Sequence, residues 1–171
     1  MSTETNDSAS NTQCRILMQQ CVHAELRVDE TNVLTIDRGV LIYVSFFKRA
    51  TEDFARKAAQ FALQLKLCET ESGRHVSILE LPADVLLIPQ ACLGGKKKGN
   101  SMQYHQLIDK TRGRELFDVM KSELEKLVSL SKPQHSADGA ARPRVLSGIY
   151  GQRQKLKIDA SLGPSSHVID L

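Results

Sequence analysis

Hydrophobic and polar residues alternate along the second half of the first patterned stretch of the chain. In residues 15–28, RILMQQCVHAELRV, Val22, Ala24, Leu26 and Val28 fall on one face, and His23, Glu25 and Arg27 on the other. That period of two predicts a half-buried strand. A DETN turn leads to a short strand, VLTI, and DRG leads to VLIYVSFF, an unbroken apolar run from Val40 to Phe47. Its length suits a strand buried on both faces. Thr51 predicts a helix start, with Glu52 and Asp53 at the positive end and Phe54, Ala58, Phe61 and Leu65 at helical spacing. After an ETESGR turn, HVSILEL reads as a strand, PAD as a turn and VLLIPQACL as another buried strand. GGKKKGNSMQYHQLIDKT has no clean period and reads as a loop. Residues 112–130 predict a second amphipathic helix, with Leu116, Val119, Met120, Leu124, Leu127 and Val128 on one side. VLSGIY, QKLKIDA and HVIDL return to strand patterns, the last two separated by a SLGPSS turn.

About seven strands and two helices in mixed order predict an α+β fold of mixed or antiparallel β-sheets in a barrel-like arrangement. Residues 1–13, rich in Ser, Thr and Asn, read as a disordered tail. Residues 14–171 read as one domain, interrupted at 131–143 by a flexible connector, SKPQHSADGAARP.

Composition narrows the class. The 171 residues are 41% hydrophobic but only 5% aromatic, with no Trp, so the core must be aliphatic. The formal charge of +3 is mild, so only clustered charge would speak for nucleic acid. Cys14, Cys21, Cys68 and Cys92 form no CxxC pair and have no His at ligand spacing, which argues against zinc. The polar N-terminus lacks a signal-type apolar core, and no apolar run is long enough to span a membrane. The expectation is a soluble, cytoplasmic protein with reduced thiols, no metal, no cofactor and no membrane partner.

Candidate chemistry gathers in residues 86–100, LLIPQACLGGKKKGN. Cys92 ends a strand beside Lys96, Lys97 and Lys98, which would favour thiolate. A nucleophilic cysteine also needs a base, for which His75 and His105 are candidates. Against this, most free cysteines are small buried hydrophobes, and composition alone favours that reading. The glycines allow close approach to a phosphate, although the spacing is not that of a P-loop. A lysine run is most often solvated. Here Tyr104 and His105 could stack on a base, and Arg112 and Arg114 add positive charge.

Four stretches occur in order: MQQCVHAEL, HVSILELP, IPQACLGGKKKGNSMQYH and GPSSHVIDL, with DRGVLIYVSFFK between the first two. Together they resemble the D-aminoacyl-tRNA deacylase family, in particular its animalia-specific tRNA deacylase branch, over residues 15–171. The resemblance implies a homodimer with the active site at or near the subunit interface. It implies hydrolysis of the ester that joins a wrong amino acid to the 3′ end of tRNA. The substrate would be D-aminoacyl-tRNA or L-alanine misplaced on a threonine tRNA, a proofreading step in translation acting in trans.

The resemblance also implies site residues. Pro89, Gln90 and Ala91 match the branch's Pro-Gln-Ala-Thr, and Cys92 replaces its threonine. Family members act through main-chain groups and the tRNA 2′-OH, so Gln90, Ala91 and Cys92 are expected to bind the carbonyl through backbone amides. Gly163 and Pro164 match a Gly-Pro element that selects chirality: cis in the usual deacylases, trans in the branch. Gln20 stands where the usual deacylases have an arginine, as the branch would require. The branch carries Asn before Gly-Pro and Phe-Thr-His after it. This chain has Leu162 before and Ser165, Ser166 and His167 after. Lys96, Lys97, Lys98, Met102 and Tyr104 are the expected tRNA contacts. Two other readings stand beside this one: a non-catalytic RNA-binding module of the same fold, and a cysteine hydrolase using Cys92.

Overall fold

The computed structural model describes residues 11–131, 142–163 and 165–171. Residues 1–10 of the expected tail, 132–141 of the expected connector, and Pro164 lie outside them. Among the described residues the strands in chain order are β1 (Cys14–Cys21), β2 (His23–Arg27), β3 (Val33–Ile36), β4 (Gly39–Phe46), β5 (Cys68–Glu69), β6 (His75–Val76), β7 (Asp84–Pro89), β8 (Lys96–Lys98), β9 (Ser101–Gln103), β10 (Val145–Ser147), β11 (Lys155–Asp159) and β12 (Ser166–Asp170). Helix α1 (Glu52–Gln64) follows β4, and α2 (Lys110–Leu130) follows β9.

Five strands form the main sheet in the order β10-β7-β4-β1-β12. β4 pairs antiparallel with β1 and parallel with β7, so the sheet is mixed. β4 is the run expected to be buried on both faces, and it is. Val40, Ile42, Val44 and Phe46 face a core shared with the helices, while Leu41 faces a second core. β7 divides the same way, Val85 and Leu87 to the helices and Leu86 and Ile88 to the other side. Each such side chain contributes about 1.5–3 kcal/mol on burial. The second core is closed by the three-stranded sheet β11-β2-β3, through Ala24, Leu26 and Ile36. The molecule is thus three layers: helices, main sheet, small sheet.

The expected barrel is corrected to this layered arrangement. Among the described residues the two sheets stack face to face and do not close. The strand expected over 15–28 divides at Val22, whose N–H bonds the Asp159 carbonyl at 3.0 Å. The chain therefore leaves the main sheet as β1 and enters the small sheet as β2.

Other local expectations change with it. Thr51 caps α1, accepting from the Phe54 N–H at 3.2 Å. The helix nevertheless buries Ala55, Ala58, Ala59, Ala62 and Leu63, leaving Phe61 37% exposed. Small residues let α1 approach its neighbours closely, and Phe61 stays at the rim. HVSILEL is not one strand. Only His75 and Val76 pair, and a 3-10 turn Ile78–Glu80 follows. The Ser77 N–H donates to the Glu80 carboxylate at 2.8 Å, a capping box that competes with extension. β7 ends at Pro89, which has no N–H to continue a ladder. The expected loop GGKKKGNSMQ contains a hairpin, β8–β9, turned by Gly99 and Asn100. Gly99 has φ +58°, as a two-residue loop with glycine first requires.

Candidate active site

The end of β7 places the candidate chemistry. Pro89 lies opposite Val44, and the Gln90 N–H donates to the Val44 carbonyl at 2.9 Å. The chain then tightens into a 3-10 turn, Ala91–Gly94, where Leu93 N–H meets the Gln90 carbonyl and Gly95 N–H the Cys92 carbonyl, both at 3.2 Å. The first amides of such a turn have no partner inside it. Among the described residues no hydrogen bond engages the N–H of Ala91 or Cys92. Two adjacent main-chain donors therefore stand free at the exposed end of a rigid strand, on residues whose side chains are also exposed.

The turn is gripped from three sides. Gly94 is buried, and a Cβ there would overlap Leu107 and crowd the Ser45 hydroxyl. Ser45 Oγ lies 3.5 Å from the Ala91 carbonyl. Arg15 Nη1 on β1 donates to the Leu93 carbonyl at 3.0 Å. The Arg15 guanidinium is held in turn by Asp170 on β12, through Nε to Oδ1 at 2.5 Å and Nη2 to Oδ2 at 2.9 Å. That pairing holds the Asp170 carboxyl below the usual carboxylate range. Arg15, Ser45 and Asp170 were not among the expected site residues. Their only trace in the sequence is a polar side chain inside an otherwise apolar strand pattern.

Cys92 corrects the reading of it as a buried hydrophobe: it is exposed. Its thiol receives the Gln90 side-chain amide at 3.1 Å. Neither candidate histidine bonds it among the described residues. His105 is exposed beyond Tyr104, and His75 pairs with Glu69 at 3.5 Å on β5–β6. The buried thiols differ. Desolvation pushes Cys14 up to about 12 and Cys21 and Cys68 to about 11.

The β8–β9 hairpin continues directly from the turn. Lys97 pairs with Met102, and Lys96 and Lys98 pair with Gln103 and Ser101. Alternation puts Lys97, Met102 and Tyr104 on one face and Lys96 and Lys98 on the other. Met102 and Tyr104 are exposed, and both lie against Gly95, where a Cβ would crowd them.

Pro89, Gln90, Ala91, Cys92 and the hairpin thus share one end of the main sheet. Gln20 and Gly163 lie at the other. Arg15 faces Asp170 in the register, whereas Gln19 faces Ser166, just past the Gly163 segment. The five steps from Arg15 to Gln20 span about 16 Å of strand. Gly163 has φ +113°. Gln20 Nε2 donates to the Leu67 carbonyl at 2.6 Å and lines a cleft of about 680 Å³ with Arg38, Lys66, His75, Leu162 and His167. Among the described residues no three His, Cys, Asp or Glu side chains converge as a metal site, and no helix is long and apolar enough to cross a membrane.

The fold, a mixed sheet backed by two helices, is shared with solved deacylase structures. Residues 17–170 match the D-Tyr-tRNA(Tyr) deacylase family model, and the chain belongs to that family. It is 42% identical to D-aminoacyl-tRNA deacylase 2 of Danio rerio, over 91% of this chain and 98% of that protein. It is 43% identical to the Homo sapiens protein of the same name, over 92% and 95%. A solved structure described as a probable eukaryotic D-amino acid tRNA deacylase superposes with TM-score 0.77 at 27% identity, over 93% of this chain and all of that one.

The thiol environments give a direct check. A maleimide at neutral pH should modify one cysteine of the folded chain rapidly, Cys92, and all four cysteines after denaturation. The buried thiols lie above their ordinary value of 9.0, so their contribution to stability is complete below that pH. It is lost as pH rises from there through about 11–12, because the unfolded chain ionises first. Chemical-denaturation midpoints should fall across that window; a flat profile would contradict it.

Proposed function

We propose that this chain hydrolyses the ester bond of mischarged aminoacyl-tRNA, with D-aminoacyl-tRNA, L-alanine on a threonine tRNA, or both as substrates. The observation that carries the reading is the pair of unpartnered amides on Ala91 and Cys92, in a chain of this family. An ester carbonyl gains negative charge as water attacks it. Two aimed N–H donors stabilise that charge, and each donor of this kind is worth about 3–4 kcal/mol in the transition state. The 2′-OH of the terminal ribose assists the water, so the protein supplies position rather than a nucleophile. Gln90 steadies the turn through its N–H bond to Val44 and its side chain against the Cys92 thiol.

The hairpin receives the acceptor end of the tRNA. Met102 and Tyr104 offer a surface on which a base can stack, and Lys97 beside them meets a phosphate. Lys96 and Lys98 extend the positive field on the opposite face.

The active unit is a homodimer. Within one chain Gly163 and the Gln90–Cys92 turn sit at opposite ends of the sheet, so one copy does not bring selector and amides together. A second copy related by a two-fold axis can present its Gly163–Pro164 segment to the first copy's turn. Leu162 and Val168, 49% and 60% exposed beside that segment, are apolar surface available to such a contact.

Ala91→Pro removes one donor at the first position of the turn, where proline is tolerated, and Gln90 before it, at φ −141° and ψ 87°, is outside the helical region that a following proline disfavours. It should lower kcat on charged tRNA by about 10²–10³ with the fold intact. Cys92→Ala should retain most activity; its inactivation would favour the cysteine hydrolase, and tRNA binding without turnover by the unmodified protein would favour the RNA-binding module. Mixing Ala91→Pro chains with chains altered at Gly163 and allowing subunit exchange should restore about a quarter of the full activity from two inactive parents. No recovery, with exchange verified, would refute the shared site. Lys97→Glu should raise KM and flatten its salt dependence while leaving kcat near its original value.

A further inference from the structure

The Leu93 carbonyl is the acceptor that a continuing 3-10 turn would use. Its natural donor, the N–H of Lys96, is instead within the β8–β9 hairpin, where Lys96 pairs with Gln103. Arg15 supplies the missing donor from β1 at 3.0 Å. A cation at the carbonyl end of a helical turn is also electrostatically favourable. The guanidinium is a rigid planar fork, so two bonds to Asp170 fix its plane and aim the third donor. Both partners sit on the main sheet, since Arg15 and Asp170 face one another across β1 and β12. The clamp therefore refers the turn to the sheet at a point separate from the Val44–Gln90 bond. Ser45 and Leu107 also brace the turn, but neither meets its Leu93 carbonyl, which without Arg15 would lose its hydrogen bond to the sheet. With the clamp and the Val44–Gln90 bond together, the N–H groups of Ala91 and Cys92 between them are held in direction.

We propose that Arg15, oriented by Asp170, is a positioning residue for deacylation. It holds the Leu93 carbonyl so that the two amides point where the ester oxygen becomes negative. This rests on the amide reading above. It adds a role for β12, which begins just past the Gly163–Pro164 segment and ends on the residue that orients the clamp. Selector and amide turn are thereby attached to the two ends of one strand.

The test uses Arg15→Ala in the 171-residue chain, with steady-state deacylation of charged tRNA and thermal melting. Misaimed donors should cost on the order of 100-fold in kcat. KM should stay within about two-fold, because the hairpin that takes up the tRNA is untouched. Free guanidinium at tens of millimolar should then restore part of kcat by filling the gap between Asp170 and Leu93, and Arg15→Ala/Asp170→Ala should not respond. The sign is diagnostic, since a merely destabilised protein would lose activity in guanidinium. Arg15→Lys should fall between the two, one donor being unable to satisfy carboxylate and carbonyl in the same geometry. Unchanged kcat in Arg15→Ala, or a loss that guanidinium deepens, would overturn the proposal. If Ala91→Pro is fully active, the amide reading fails first; if Ala91→Pro is inactive while Arg15→Ala is fully active, the clamp alone fails.

Discussion

The burial of β4 on both faces is the constraint on which the rest depends. A strand that sends Ile42 and Val44 to one core and Leu41 to the other has no solvent face. Its backbone must then be paired along both edges, because an unpaired buried amide or carbonyl costs about 1–3 kcal/mol. β1 and β7 supply those pairings. The helices and the small sheet supply the two covers. Once β4 is central, the C-terminal end of the parallel neighbour β7 is set against Val44, and the chain after Pro89 must leave the sheet there.

The candidate site follows from how it leaves. Proline ends the ladder, a 3-10 turn frees two amides, and the hairpin beyond carries lysines. None of this needs a special side chain at position 92. A main-chain donor is the same whether the residue is threonine or cysteine, and the exposed thiol meets only the Gln90 amide among the described residues. Substitution at 92 is chemically quiet if the backbone acts, whereas a nucleophile would require a base that neither His75 nor His105 provides in this arrangement.

What was legible in the sequence was legible for physical reasons. β4, β7, the Thr51 cap and the buried stripe of α2 announce themselves through continuous burial, side-chain capping and helical period, which are local properties. The misread segments are those in which a local signal competes with pattern. Ser77 and Glu80 fold HVSILEL back on itself although its residues favour a strand. Gly99-Asn100 makes a hairpin of a stretch too polar to show alternation. On α1 the expected stripe holds at Ala58, which is buried, and at Phe54 and Leu65, which pack on the same core, but fails at Phe61, because the alanines pack where Phe61 cannot. Arg15 and Asp170 were invisible for a different reason: they are 155 positions apart, and only the β1–β12 register brings them together.

The placement of Gly163 bears on how selection and catalysis are arranged. A selector on the same end of the sheet as the amides would have to grow from β7, β4 or the hairpin, and any shift in it would disturb the turn directly. On the proposed reading, a selector at Gly163 stands before the far end of β12, at the opposite end of the sheet from the turn within its own chain, and β12 reaches the turn through the Arg15–Asp170 pair. Changes beside it, such as Leu162, Ser165 and Ser166 in this sequence, can then alter the pocket wall without repacking the amide turn. In a two-fold assembly this arrangement would let the acyl group be judged by one chain while its ester is held by the other, so specificity can drift while the chemistry stays fixed.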